Sequence, residues 1–108
     1  MQKHRIYNKL VRDKIPQVIA ATGETCVTEV LSRDAYMEAL DAKLGEELAE
    51  YQESKSLEEL ADLLEVMDAV VKARGYRWED LVRIREEKRA RRGGFEERIF
   101  LKEVIGEE

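Results

Sequence analysis

Two consecutive stretches of helical periodicity, joined by almost nothing, constrain this chain more than any other feature. From about Asp34 to Glu53, Tyr36, Met37, Leu40, Leu44, Leu48 and Tyr51 recur at the spacing that lines one side of an α-helix. From Leu57 to about Ala73, Leu57, Leu60, Leu63, Leu64, Met67, Val70 and Val71 do the same. Only Ser54-Lys55-Ser56 separates them. A connection that short leaves antiparallel packing, stripe against stripe, as the expected arrangement.

Around this pair the remaining elements fall into place. Asp13 is expected to cap a short N-terminal helix carrying Ile15, Val18 and Ile19, with Pro16 in its first turn and Gly23 stopping it. A further helix is expected from about Trp78 to Arg92, ending at Gly93-Gly94. The β-branched content of Cys26 to Leu31 and the apolar run in Arg98 to Ile105 suggest two strands that pair with each other. The expected fold is thus mainly α, an antiparallel helical bundle with a short N-terminal helix and a small two-stranded β element. No repeat or Pro/Gly/Ser linker interrupts the 108 residues, so residues 1–108 read as one domain.

Charge narrows the function. With 40% charged residues and 44% apolar ones, the composition suits long, salt-bridged helices. A net charge of −5 argues against stable nucleic-acid binding, which needs a basic footprint to displace phosphate counterions. No apolar run approaches the roughly 20 residues of a membrane span, and Met1-Gln2-Lys3-His4-Arg5 leads into no signal-peptide core, so a cytoplasmic location is expected. Cys26 lacks a disulfide or zinc partner and reads as a small apolar side chain.

The chemistry lies in the acidic residues that break the two stripes. Advancing each residue by about 100° around the helix axis puts Glu47 inside the first apolar arc, with Glu50 about 60° to its side and one turn further on. On the second helix Glu59 falls between Val66 and Val70, and Asp62 again lies about 60° beyond it. Glu58 and Glu65 face outward, and Asp68 lies on the far border. Each helix therefore pushes one carboxylate into the shared seam and sets a second beside it. Unpaired burial of such a group would be prohibitive, so a cation is required there. Hard oxygen donors without histidine or thiol suit Mg²⁺, with Mn²⁺ as a substitute. Ser56-Leu57-Glu58-Glu59 also fits a capping box, which alone accounts for Glu59.

Basic residues complete the set. Lys88, Arg91 and Arg92 cluster at the end of the Trp78 helix, before Gly93-Gly94. They either answer the helix dipole or bind phosphate. Asn8, Lys9 and Arg12 form a second small polar and basic group near the start.

With these residues in hand, the chain resembles the MazG-like all-alpha nucleoside triphosphate pyrophosphohydrolases, whose hallmark is Glu-Glu-x-x-Glu followed on the next helix by Glu-x-x-Asp. Here these are Glu46-Glu47-Leu48-Ala49-Glu50 and Glu59-Leu60-Ala61-Asp62. The opening Tyr7-Asn8-Lys9-Leu10-Val11-Arg12-Asp13-Lys14-Ile15-Pro16 and the closing Arg92-Gly93-Gly94-Phe95-Glu96 are similar to a phosphoribosyl-ATP pyrophosphohydrolase-like house-cleaning branch. The resemblance implies Mg²⁺-dependent cleavage of a nucleoside triphosphate between the α and β phosphates, giving nucleoside monophosphate and pyrophosphate. It implies Glu47, Glu50, Glu59 and Asp62 as metal ligands, with Glu46 and Glu47 as the catalytic pair and Glu46 either supporting the metal ligands from behind or orienting water. Asn8, Lys9, Arg12, Lys88, Arg91 and Arg92 are then the substrate-binding candidates. It also implies a homodimer or higher homo-oligomer. Phosphoribosyl-ATP hydrolysis and a noncatalytic helical oligomerisation module remain the alternatives. Two features depart from many relatives: the short connection between the acidic elements, and Gly45 inside the first motif helix, where close helix approach would explain it.

Overall fold

The computed structural model describes residues 3–107. Among them the chain is all-helical: α1 is Ile15–Ala20, α2 is Arg33–Ser54, α3 is Leu57–Ala73 and α4 is Trp78–Arg92. It divides into two compact units, one ending at Tyr76 and the other starting at Arg77. No helix among the described residues is long and apolar enough to cross a membrane.

The first unit is built on the α2–α3 hairpin. Ser32 caps α2, its hydroxyl accepting from the Ala35 amide at 3.3 Å, and Asp34 lies in the first turn where the helix dipole favours it. The helix ends at Lys55, whose φ of 58° turns the chain while its amide donates to the Tyr51 carbonyl at 2.7 Å. The next residue, Ser56, already caps α3. A two-residue link leaves the helices no choice but to fold back on one another, and α2 and α3 are the helices that pack together. At the far end Gly75 adopts φ 81°, with its amide bonded to the Lys72 carbonyl and that of Tyr76 to the Val71 carbonyl at 2.9 Å. This pair of bonds is a Schellman stop, which needs a left-handed residue.

The seam between the helices is thin. Leu40, 3% exposed, is the one buried apolar residue among those described, and Glu47, 6% exposed, the one buried charged residue. Tyr36, Met37, Leu44 and Tyr51 from α2 and Leu63, Val66, Val70 and Val71 from α3 are half-buried. Leu57, Leu60, Leu64 and Met67 of α3 lie exposed.

Three sequence expectations are corrected. No strand forms among the described residues: Cys26 to Leu31 and Arg98 to Ile105 are irregular, with Val27, Val30, Ile99 and Phe100 largely in solvent. β-branched and apolar content favours a strand only where a paired neighbour receives it, and neither segment has one. Asp13 does not cap α1: Lys14 takes that position without a side-chain hydrogen bond. A side chain built on Gly45 would meet nothing within 4 Å, so close approach of another helix within the chain is not what this glycine serves. Cys26 is half-buried and free.

The second unit consists of α4 and the segment after it. Glu79 and Asp80 occupy the first turn and Arg89, Arg91 and Arg92 the last, in the order the macrodipole favours. Gly93, at φ 83°, closes the helix by donating to the Arg89 carbonyl at 2.8 Å. Arg89 then reaches past Gly94 to Glu96 at 2.8 Å. A side chain on Gly94 would collide with that Glu96 carboxylate.

Candidate metal site

Two sets of carboxylates converge on the α2–α3 seam. Glu46, Glu47 and Glu50 each bring an oxygen within 4.8 Å of the others, and Glu47, Glu59 and Asp62 do the same. Glu47 belongs to both sets. The helical period places it there: it sits in the α2 stripe between Leu44 and Leu48, facing α3, while Glu46 and Glu50 flank it. From α3, Glu59 and Asp62 lie three residues apart and so on one side of the helix.

The two oxygens of Glu47 differ. Oε1 forms an ion pair with Lys43 Nζ at 3.3 Å, one turn earlier on α2. Oε2 is buried and has no hydrogen-bond partner, and Oε2 of Glu59 shares that condition. Buried polar atoms are almost always partnered, so two orphaned carboxylate oxygens in one acidic cluster fit a divalent cation. The donor set, oxygen alone, suits magnesium or manganese. Burial pushes the Glu47 carboxyl above its ordinary range. The Glu50 carboxylate adds to the shift, and Lys43 opposes it.

The capping alternative for Glu59 is resolved by half. Ser56 Oγ does accept from the Glu59 amide at 3.3 Å. The reciprocal bond of a capping box is not made, because the Ser56 amide donates to Ser54 Oγ at 3.2 Å. The Glu59 side chain is therefore not engaged in the cap.

Basic residues from the N-terminal segment reach both sets. Lys9 Nζ lies 3.5 Å from Glu46 Oε1, and Arg12 Nη2 lies 2.7 Å from Asp62 Oδ1. Asn8 adopts φ 44°, a left-handed conformation that asparagine tolerates better than most residues. Asn8, Lys9 and Leu10 line a pocket of about 230 Å³ with Ala39, Ala42, Lys43 and Glu46 of α2. Lys88, Arg91 and Arg92 are exposed on α4 in the second unit. Lys43 was not anticipated from sequence. Its signal was present in its spacing of three and four residues from Glu46 and Glu47, the helical ion-pair distances.

No family model matches the chain, and no solved structure matches it. A stretch of 42 residues, 39% of the chain, is 60% identical to an uncharacterised protein of Mycolicibacterium smegmatis (strain ATCC 700084 / mc(2)155). The match spans 43% of that protein's length.

Proposed function

We propose that this chain is a Mg²⁺-dependent nucleotide pyrophosphohydrolase, cleaving a nucleoside triphosphate, ordinary or noncanonical, between its α and β phosphates. The observation that carries the reading is the orphaned, buried Oε2 of Glu47 at the junction of two carboxylate sets. In this reading Glu47, Glu50, Glu59 and Asp62 hold the metal. Glu46, half-exposed beside Glu47, accepts a proton from the attacking water and orients it. A divalent cation held there supplies positive charge to the polyphosphate and makes the attacking water more acidic. Lys43 offsets part of the cost of burying Glu47, and Arg12 holds Asp62 in place. The part of Lys88, Arg91 and Arg92 in gripping phosphate rests on the resemblance alone.

The same resemblance suggests an all-alpha pyrophosphatase bundle assembled from more than one copy of the chain. The exposed Leu57, Leu60, Leu64 and Met67 support that suggestion, since a single hairpin leaves this side of α3 uncovered. That exposed stripe also favours a second reading, a noncatalytic helical module that works by association.

Pyrophosphate release from a panel of ordinary and damaged nucleotides, with phosphoribosyl-ATP among them, tests the proposal. Turnover that needs Mg²⁺ and disappears in Glu47→Gln supports it, and the preferred substrate separates the two enzymatic readings. Absence of turnover across the panel, with unaltered self-association in Glu47→Gln, leaves the helical module.

A further inference from the structure

One carboxylate oxygen carries two cations. Oε1 of Glu46 lies 3.5 Å from Lys9 Nζ and 3.5 Å from Lys43 Nζ, so the two ammonium groups stand no farther apart than twice that distance. They arrive from different parts of the first unit, Lys9 from the irregular segment before α1 and Lys43 from α2. Both line the 230 Å³ pocket, whose other walls are the small Ala39 and Ala42, Asn8 and Leu10. Lys43 is an unusual lysine, its side chain only 17% exposed. Helix ion pairs at the surface do not require a lysine so enclosed.

Glu46 also converges with the carboxylates of Glu47 and Glu50. An oxygen turned to the water beside a divalent cation, the role given to Glu46 above, is a poor partner for two ammonium groups, because the like charges then crowd one another. Drawing Glu46 away therefore leaves Lys9 without this counter-ion and Lys43 with Glu47 alone, both beside the pocket. A compact polyanion with several oxygens satisfies both, lysine serving as a mobile point charge for each phosphoryl group.

We propose that the pocket between the N-terminal segment and α2 is a diphosphate subsite, in which Lys9 and Lys43 bind the pyrophosphate part of the substrate and Glu46 occupies both ammonium groups until metal arrives. The proposal rests on the hydrolase reading above for the identity of the anion. It also assigns an order, metal before polyphosphate, with Glu46 as the link between them.

Calorimetric binding of inorganic pyrophosphate, with and without Mg²⁺, tests the subsite separately from catalysis. Glu46→Gln removes the shared counter-ion and is expected to tighten metal-free pyrophosphate binding by about tenfold. Adding Lys9→Met or Lys43→Met to that variant is expected to abolish the gain. In the otherwise wild-type chain each lysine variant is expected to weaken Mg²⁺-dependent pyrophosphate binding by about tenfold or more, the usual loss for a charge-assisted bond. Mn²⁺ binding by the lysine variants and circular dichroism melts report whether site and fold are intact, and Lys9→Met, at the more exposed position, guards against a Lys43→Met that fails to fold. No gain in Glu46→Gln, or lysine variants that keep full pyrophosphate affinity, overturns the subsite even if the enzyme is active. Failure of the hydrolase reading shows differently, as absent turnover and absent Mn²⁺ binding, while the metal-free measurement on Glu46→Gln still reads the pocket.

Discussion

Lys43 Nζ lies 3.3 Å from Oε1 of Glu47, and the second oxygen of that carboxylate is buried with no partner. The lysine thus secures one side of Glu47 and leaves the other directed at the acidic cluster. Replacing Glu47 by glutamine keeps the shape and removes the charge that a metal needs. Glu47→Gln is expected to lower Mn²⁺ affinity by at least about a hundredfold, since loss of outer partners alone costs about 10- to 100-fold. Titration followed by electron paramagnetic resonance checks this, and nucleotide turnover is expected to fall in parallel.

The same carboxylate sets a pH dependence. Burial, with the Glu50 carboxylate adding to it and Lys43 opposing, holds its folded pKa above the ordinary 4.5. From 4.5 up to that raised value, the folded chain holds more of this proton than the unfolded chain, so its contribution to stability is complete at low pH and lost as pH rises through the window. Urea denaturation without metal, repeated across this range, is expected to show that decline in the wild type and a flatter profile in Glu47→Gln. Metal affinity runs the opposite way, rising with pH as the carboxylate becomes available.

Metal that binds only the folded chain must stabilise it. At about a hundredfold excess over Kd the gain is about 2.7 kcal/mol, a rise of roughly ten degrees in Tm for a chain of this size. Thermal melting with Mg²⁺ is expected to show it, and Glu47→Gln to lose it. Equal melting in Mg²⁺ and in matched sodium chloride would count against a metal site.

Ser56 and Glu59 share one helix terminus and are expected to separate cleanly. Ser56→Ala removes the acceptor for the Glu59 amide and costs about 1 kcal/mol, with metal affinity little changed. Glu59→Gln leaves the cap bond intact and weakens metal binding. Denaturant unfolding and Mn²⁺ titration on the two variants give opposite patterns.

Two glycines predict opposite signs. A Cβ on either Gly45 or Gly75 meets no atom within 4 Å, so sterics do not distinguish them. Gly45 lies within α2 and takes no left-handed backbone, and Gly45→Ala is expected to stabilise by about 1 kcal/mol. Gly75 holds φ 81° in the stop of α3, and Gly75→Ala is expected to destabilise by roughly 1–2 kcal/mol. Urea midpoints measure both.

What the sequence disclosed followed from local rules. Helix periodicity located α2, α3 and α4, and an angular offset of one residue type inside the apolar stripes picked out Glu47 and Glu59. The misreadings came where an outcome depends on a distant partner. The valines of Cys26 to Leu31 favour an extended chain, but a strand also needs a neighbour that residue content does not supply. The Arg12–Asp62 pair joins residues 50 apart, a separation no local pattern encodes. Lys43 is the instructive miss: its helical spacing to Glu46 and Glu47 was visible, but whether such a lysine is solvated or enclosed depends on what packs above it.

The two-residue link at Lys55-Ser56 bears on the order of events during synthesis. All the carboxylates that converge, from Glu46 to Asp62, lie within one hairpin and close only short loops of chain. Local contacts form faster than distant ones. The acidic cluster therefore assembles as soon as the hairpin closes, with no residue of α4 needed, and its mutual repulsion is present from that moment. Lys43 on the same helix is the first countercharge at hand, followed by the Lys9 ammonium and the Arg12 guanidinium of the segment synthesised before it.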